Sequence, residues 1–308
     1  MTLAVIALNQ VLVMFLIMIL GFLCYKIKII NHETNKKLSD FLLLIVNPLL
    51  IFNSYQREFN KELLNGLAIS FVLAFISHFI AIGAAWLFVR GKNKQDIPLE
   101  RFSCIYSNCG FMGIPLINSL YGSEGVFYLT AYMTVFNLLI WTHGVILMTG
   151  HRNGKAMLKT LVSPTFIAII AGLLLFLLDI RIPKVLYRSM DYVASMNTPL
   201  AMIIAGVTMA QSDLKKVLLK WRIYLIIFVK QLAIPILLTL LYCKLPVNNT
   251  ILATAILAAG CPVAATGMLF ALRYNKNHLY ASELYSVGTM AALITIPVIM
   301  LFAGLIIR

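Results

Sequence analysis

The chain has 308 residues, of which 61% are hydrophobic and 12% charged, and its formal net charge is +14. Such an apolar composition excludes an intrinsically disordered chain and argues against a soluble globular domain. No basic cluster in a soluble segment is interleaved with aromatic residues, so we expect no nucleic-acid partner despite the positive charge.

Several apolar runs reach the roughly 18 residues that indicate a membrane-spanning helix, and no alternating strand pattern is present. The sequence therefore predicts an all-α polytopic protein of the lipid bilayer. Ten spans can be placed, at residues 4–24, 38–55, 63–89, 102–121, 126–148, 163–180, 190–210, 223–243, 250–272 and 280–307. The first could be mistaken for a signal peptide, but no Lys or Arg precedes Lys26, so we expect an uncleaved span.

Lys and Arg are distributed unevenly between the loops. The segments after spans 1, 3, 5, 7 and 9 hold 17 of the 25 basic residues, whereas the other loops and the two ends hold seven. Because Lys and Arg concentrate on the cytoplasmic side of a membrane protein, this asymmetry predicts that both termini lie outside the cytoplasm, in a multi-pass protein of the cell membrane.

The fourth span contains the stretch Asn108–Pro115, whose two glycines and proline weaken any helix that runs through it. Irregular backbone at membrane depth has to be buried in protein or line a water-filled cavity. An opened helix presents free N–H groups where the helix dipole favours an anion, and Asn108 adds an uncharged donor and acceptor. A simple proline kink is the alternative, since kinked membrane helices are common.

An internal repeat relates the two halves of the chain. Gly21, Asp40 and Pro48 recur 151 residues later as Gly172, Asp191 and Pro199, and Gly113-Ile114-Pro115 recurs 147 residues later as Gly260-Cys261-Pro262. Each copy holds five spans, an odd number, so the second copy is inverted across the membrane. Inverted repeats with broken helices in matching positions indicate the midplane site of a secondary transporter. We therefore predict that Pro115 and Pro262 are equivalent parts of one site.

Motifs that carry catalytic chemistry are missing from the sequence. The five cysteines, Cys24, Cys104, Cys109, Cys243 and Cys261, lie in or beside apolar segments without a CxxC pair, which favours reduced packing residues over disulfides or a zinc site. HExxH, GxSxG and P-loop motifs are absent as well. We therefore predict neither an enzyme nor an ATP-driven pump, with no metal site and no cofactor beyond a coupling ion, Na⁺ or H⁺.

Six short runs occur in the following order: Asn47-Pro48-Leu49-Leu50-Ile51-Phe52, Asn108-Cys109-Gly110, Gly113-Ile114-Pro115, Thr198-Pro199-Leu200-Ala201, Gly260-Cys261-Pro262 and Phe270-Ala271-Leu272-Arg273-Tyr274. With these runs the chain resembles, over nearly its whole length, the auxin efflux carrier family, which includes bacterial malate-permease-like carriers and plant PIN-type auxin carriers. Plant members have a long cytoplasmic loop between the halves, whereas here the loop is short (149–162), as in bacterial members.

The resemblance implies a ten-helix fold made of two inverted five-helix repeats, residues 1–149 and 163–308, joined by a cytoplasmic linker at 150–162. Spans 1, 2, 6 and 7 would form a scaffold that dimerises, and spans 3–5 and 8–10 a mobile transport domain with broken helices 4 and 9 crossing. The family moves organic anions, typically carboxylates such as malate or auxin-like acids, by ion coupling or exchange in an elevator-type mechanism. An ion channel or anion pore built on the same broken helices is the alternative.

The candidate substrate site is the pair of breaks in spans 4 and 9. Its residues are Asn108, Cys109, Gly110, Gly113, Pro115, Gly260, Cys261, Pro262 and Thr266. Where a plant carrier places an asparagine in the span 4 break, this chain has Asn108. The span 9 segment has no asparagine beside its proline, which argues against a retained site for indole carboxylates.

A second set of polar residues is a candidate ion-coupling or polar pathway: Asn47, Asn118, Asn137, Lys230, Asp40, Asp191 and Glu283. The three carboxylates begin their spans, where the helix dipole alone explains them. Lys230 lies about 12 Å into span 8, which leaves a substrate counter-ion, a partner of a coupling carboxylate and a snorkelling side chain as alternatives. His78 and His143 are expected to bond backbone groups in the core rather than to relay protons.

Overall fold

The computed structural model describes residues 3–91, 95–151, 163–211 and 220–306. These ranges are largely helical, and the described residues contain no β-strand, only an antiparallel bridge between Ser107 and Val263. Seven of the helical segments are long and apolar enough to cross a membrane. The all-α membrane architecture predicted from composition is therefore confirmed.

In the first half of the chain, apolar helices follow one another through short turns. They are α1 (Leu3–Lys26), α2 (His32–Phe41), α3 (Asn47–Ser54), α4 (Lys61–Phe88), α5 (Ile97–Ile105), α6 (Ile114–Leu139) and α7 (Val145–Thr149). Three π-helical turns, Leu42–Val46, Cys109–Gly113 and Ile140–Gly144, precede α3, α6 and α7. The linker predicted at 150–162 lies almost wholly outside the described residues.

The second half of the chain is also built from helices. They are α8 (Pro164–Leu177), α9 (Lys184–Ala194), α10 (Asn197–Ala210), α11 (Trp221–Phe228), α12 (Ile234–Tyr242), α13 (Asn249–Gly260), α14 (Thr266–Arg273) and α15 (His278–Ile306). A π-helical turn, Val229–Ala233, joins α11 to α12. Two of the predicted spans, the sixth and the ninth, correspond to shorter apolar helices, α8 and α13.

Gly122 divides the longest apolar segment. Helix and π-turns run on from Cys109 to Thr149, 41 residues, which at 1.5 Å per residue would extend about 60 Å, twice the thickness of a bilayer core. Gly122 interrupts this run with φ 61° and ψ −156°, a conformation that glycine adopts without the clash of a Cβ atom. The turn falls between the predicted fourth and fifth spans, where the sequence places a four-residue loop.

Three of the π-turns accommodate a proline. The turns Leu42–Val46, Cys109–Gly113 and Val229–Ala233 end two residues before Pro48, Pro115 and Pro235, respectively. In each case the residue before the proline donates its N–H to the carbonyl five residues back. Because proline lacks an N–H and crowds the carbonyl four residues back, the wider π-turn lets the helix continue through it.

Glycines allow close packing of α1 on α10 and of α3 on α8. A Cβ atom at Gly206 would lie 1.9 Å from a carbonyl oxygen of α1, and one at Gly21 would lie 2.3 Å from a carbonyl oxygen of α10. Gly172 of α8 packs on the ring of Tyr55, which follows α3. Small residues at such crossings let membrane helices approach through van der Waals contact.

The N-terminal turns of α5, α11 and α15 meet the segment after α4 in a network of polar and charged side chains. Arg222 donates to both carboxylate oxygens of Glu100, and its Nη1 donates to the carbonyl of Arg90 at 3.0 Å. The Tyr280 hydroxyl donates to Glu100 Oε1 at 3.0 Å. Glu100 is only 2% exposed, so this carboxylate is buried with its hydrogen bonds satisfied.

A second group of loops meets elsewhere, after α3, at the Gly122 turn and after α8. Arg57 Nη2 donates to Ser123 Oγ at 2.9 Å, and the Ile182 N–H donates to Gln56 Oε1 at 3.1 Å. Each contact joins segments more than 60 residues apart in sequence. The segments between the helices therefore form two sets, and the contacts described here are made within each set.

Candidate functional site

Two interrupted helices cross at the centre of the candidate site. The chain is extended between α5 and the Cys109–Gly113 turn, which we call the first break, and again between α13 and α14, the second break. The Asn108 N–H donates to the Pro262 carbonyl at 2.7 Å, and the Ala264 N–H donates to the Tyr106 carbonyl at 3.1 Å. Each break thus supplies hydrogen-bond partners for the backbone of the other, as buried irregular backbone requires.

The two glycine–proline motifs do not occupy equivalent positions at this crossing, so the predicted pairing of Pro115 with Pro262 is wrong. Pro262 lies in the second break, whereas Pro115 lies in α6, after the first break has ended at Asn108. The π-turn before Pro115 explains the difference, because it absorbs the missing N–H without opening the helix there. The bridge instead pairs Ser107 with Val263.

Asn108 caps the second half of the first broken helix and retains a free donor. The side chain is 3% exposed, its Oδ1 accepts from the Phe111 N–H at 3.4 Å, and the Tyr285 hydroxyl lies beside it. Its Nδ2 has no partner of hydrogen-bonding geometry among the described residues. A buried donor without a partner is costly, so Nδ2 is a natural contact for a bound ligand.

A cavity of about 110 Å³ opens beside the crossing. Its polar lining consists of Asn47, Ser107, Asn108, Asn137, Thr165 and Thr266, and no charged side chain of the described residues contributes to it. The Thr266 hydroxyl is a second buried polar group without a partner. The cavity lies between α5–α6 and α14 on one side and the helices that carry Asn47 and Thr165 on the other.

Two helix N-termini begin at this cavity, at Cys109 and Thr266. The first N–H groups of a helix have no carbonyl partner within it, and the dipole places a partial positive charge at this end. Carboxylates and other anions are favoured by such an arrangement. The cavity therefore combines an electropositive backbone with neutral polar side chains.

Some of the predicted substrate residues line the cavity, and the others are buried near it. Asn108, Cys109, Gly110 and Thr266 line the cavity. Gly113 is buried on the π-turn, where an added Cβ would lie 3.3 Å from Cys261 Sγ. Pro115, Gly260, Cys261 and Pro262 are buried around the crossing without lining the cavity.

Lys230 is buried beneath the crossing on the Val229–Ala233 turn and is 1% exposed. Its Nζ donates to the Ile105 carbonyl at 3.1 Å and to the Ala259 carbonyl at 3.0 Å. These oxygens belong to the last residues of α5 and α13, so one ammonium group contacts the C-terminal ends of both interrupted helices. The side chain does not snorkel to the surface.

The other polar-pathway candidates are scattered. Asn47 and Asn137 line the cavity, and Asn47 accepts a 2.6 Å hydrogen bond from Asn197. Asn118, Asp40 and Asp191 are exposed, and none of them lines the cavity.

The helix-dipole interpretation of the carboxylates is wrong. α2 begins at His32 with Asn31 as its N-cap, and α9 begins at Lys184, so neither Asp40 nor Asp191 lies in a first turn. Both helices begin six residues before the predicted spans. Glu283 also follows the first turn of its helix and forms a 2.6 Å ion pair with Lys220.

The two histidines differ in their partners. His78 Nδ1 contacts the Ala74 carbonyl at 2.8 Å, which confirms the expected backbone bond of a core histidine. His143 instead contacts the Tyr106 hydroxyl at 2.9 Å, so the expectation of a backbone partner is wrong there. Tyr106 lies in the first break, so His143 is linked to the crossing through one side chain.

Ser107, Thr165 and the Glu100–Arg222 pair were not predicted from the sequence. Ser107 adjoins Asn108 and could have been included with the break. Thr165 stands on an apolar helix with no motif around it, and Glu100 and Arg222 lie in predicted loops 122 residues apart. Only the fold brings such residues together.

Comparison with known proteins identifies the chain's relatives. The family model described as membrane transport protein matches residues 6–157 and 151–300. A protein named "Putative malonate transporter" from Rhizobium meliloti is 24% identical over 303 residues, which cover 93% of this chain and 92% of the relative. An uncharacterized transporter from Methanocaldococcus jannaschii is 23% identical over 223 residues, covering 68% of this chain and 71% of the relative.

A further uncharacterized transporter, from Methanothermobacter thermautotrophicus, is 22% identical over 205 residues, which cover 65% of this chain and 67% of the relative. The family match extends over most of the sequence and agrees with the apolar helices and the interrupted pair at their centre. The chain therefore belongs to the membrane transport protein family, that of the auxin efflux and malate-permease-like carriers, and is a multi-pass membrane transporter.

Proposed function

We propose that this transporter is a secondary carrier of small organic anions, chiefly carboxylates, with its substrate site in the cavity at the helix crossing. The unpaired Nδ2 of Asn108 carries the proposal, because Asn108 lines an uncharged cavity beside two helix N-termini. A carboxylate would accept from this amide and from the free backbone N–H groups. The malonate named for one relative makes short dicarboxylates the first substrates to test.

We also propose that ten spans cross the membrane. The turn at Gly122 supports this number, because it divides a segment too long for one crossing. The two sets of loop contacts support it further. The segments that follow spans 3 and 7 contact each other through Glu100 and Arg222, and those that follow spans 2 and 4 do so through Arg57 and Ser123.

Two inverted repeats, residues 1–149 and 163–308, give the simplest account of the packing. α1 packs closely on α10, and α8 packs on the end of α3, so the first span of each half contacts the second span of the other. Gly21 and Gly172, repeat mates in the sequence, lie at these two contacts. An inverted repeat relates such pairs by a two-fold axis in the membrane plane.

The cavity's position supports an elevator-type mechanism. Its lining comes from spans 2 and 6 of the proposed scaffold, through Asn47 and Thr165, and from spans 4, 5 and 9 of the proposed transport domain. Movement of the transport domain against the scaffold would carry the site across the membrane. Dimerisation through spans 1, 2, 6 and 7, and placement in the cell membrane with both termini outside the cytoplasm, complete the proposal.

Transport by the purified protein in proteoliposomes tests this function. We expect saturable uptake and exchange of at least one short carboxylate, with malonate and malate screened first under imposed pH and Na⁺ gradients. Indifference to every carboxylate, combined with transport of cations or sugars, would contradict the anion assignment. Conductance without saturation or exchange would instead favour the channel alternative.

A further inference from the structure

The position of Lys230 bears on how transport is driven. The two carbonyl oxygens that its ammonium group contacts are at the C-terminal ends of α5 and α13, and the side chain reaches them from a third helix. In transporters with interrupted helices, such half-helix C-termini and unwound carbonyls coordinate the coupling Na⁺ or H⁺. Here the same kind of oxygen pair is occupied by a side chain.

The charges at this point balance. A helix C-terminus is equivalent to about half a negative charge, so the ends of α5 and α13 together supply about one negative charge for one ammonium group. No carboxylate of the described residues forms an ion pair with Lys230, although four other pairs are formed. Thiols of Cys104, Cys109 and Cys261 and the ring of His78 are its titratable neighbours. Hence the helix ends are the counter-charge that makes burial of this cation tolerable.

We propose that the Lys230 ammonium group takes the place of a coupling cation, so that the protein transports its anion without Na⁺. The inference rests on the proposed function, because it concerns how that same crossing is driven. A second cation would meet both the positive charge of Lys230 and carbonyl oxygens that are already engaged. Lys230 is thus a positioning residue that holds the two helix ends together, and it does not line the cavity that would receive the anion.

Sodium replacement is the first test and needs no variant. Carboxylate uptake by the parent protein in proteoliposomes should proceed at the same rate when choline replaces Na⁺ on both sides. A parent protein that transports a carboxylate only with Na⁺ would overturn the inference and leave the proposed function intact. A parent protein that transports no carboxylate in either buffer would count against the proposed function.

Two variants test the role of the ammonium group itself. Lys230→Ala should lose most transport in choline buffer and regain part of it with Na⁺ or ethylammonium, which can enter the vacated space. Lys230→Met fills that space without charge, so neither cation should restore it. Lys244→Ala, which removes an exposed lysine, is the matched control and should behave like the parent.

Thermal unfolding gives a readout that does not depend on transport. Na⁺ should raise the Tm of Lys230→Ala but not that of the parent or of Lys230→Met, because only the first has a vacant cation position. If Lys230→Met transports like the parent, the ammonium group is dispensable and the inference is wrong. If Na⁺ stabilises the parent as much as Lys230→Ala, a cation site exists apart from Lys230, and the inference fails in the same way.

Discussion

In the proposed site, the oxygen and the nitrogen of the Asn108 amide have different roles. Its Oδ1 accepts from the Phe111 N–H and caps the resumed helix, whereas its Nδ2 has no partner. Asparagine is suited to this position because it offers an acceptor and a donor without a charge that would repel the anion. An aspartate would preserve the cap but place a negative charge beside the proposed substrate.

We expect Asn108→Ala to raise the apparent KM for the transported carboxylate. Loss of a buried hydrogen bond costs about 1–3 kcal/mol, which corresponds to about five- to 150-fold in affinity. Asn118→Ala is the control, since Asn118 is exposed ten residues further along the chain. Initial rates in proteoliposomes measure both, and equal KM values for the two variants would place the substrate elsewhere.

Residue types could be selected from the sequence, but their partners could not. Asn108 and Thr266 were predicted at the site because each lies beside a helix-weakening motif. For Lys230 the sequence left a buried role and a snorkelling side chain open. Its partners are backbone carbonyls 125 and 29 residues away, and every residue has a carbonyl. No residue pattern distinguishes the carbonyl that an ammonium group will contact.

At the scale of elements, a π-turn is one way in which a helix continues through a proline. Pro48, Pro115 and Pro235 follow such turns and remain within continuous helical segments, whereas Pro262 lies in extended chain. Glycine and proline in the sequence therefore locate a weak point to within one or two turns. They do not determine which peptide groups leave the helix, because that depends on the partners available in the other break.

Pro262→Ala should reduce transport far more than Pro115→Ala. Replacing Pro262 allows α13 to continue and withdraws the carbonyl that accepts from Asn108, whereas replacing Pro115 leaves the first break at Tyr106–Asn108 unchanged. Transport rates of variants that elute as folded protein on size exclusion measure the difference. Equal losses would mean that both prolines shape the crossing, against the arrangement described above.

Gly206→Ala should destabilise the contact between α1 and α10. Its added methyl group would lie 1.9 Å from a carbonyl oxygen, so the helices must separate, at a cost of about 1–3 kcal/mol. Gly83→Ala is the control, because a Cβ atom there meets nothing within 4 Å. Thermal unfolding in detergent should show a lower Tm for Gly206→Ala alone, and an unchanged Tm would mean that this packing adds little stability.

At the scale of the whole molecule, length and hydropathy predict the helical architecture well. The apolar runs are long, and each can satisfy its own backbone only as a helix in lipid. Boundaries were less accurate, since α2 and α9 each begin six residues before the predicted span. The turn at Gly122, in contrast, could be placed from the sequence, because the apolar run before it and the apolar run after it are each long enough to cross a membrane.

The proposed ten crossings, with both termini outside the cytoplasm, predict which introduced cysteines a membrane-impermeant reagent can label. Cysteines introduced at Asn31 and Lys276 should react with a membrane-impermeant maleimide only after the cells are permeabilised, whereas those at Glu58 and Lys244 should react in intact cells. All four positions are exposed or nearly so, so accessibility depends on the side of the membrane. If Asn31 and Lys244 react under the same conditions, an odd number of crossings between them is excluded.

The bridge at Ser107 and Val263 also has a consequence for biogenesis. Each break depends on the other for backbone partners, yet the two are separated by 156 positions in the chain. At about 5–20 residues per second, the ribosome needs about 8–30 s to make the intervening segment. During that interval the first break has no partner strand, and unpaired peptide groups are poorly tolerated in lipid. We therefore expect the first half of the proposed transport site to be shielded from lipid until the second half has been synthesised.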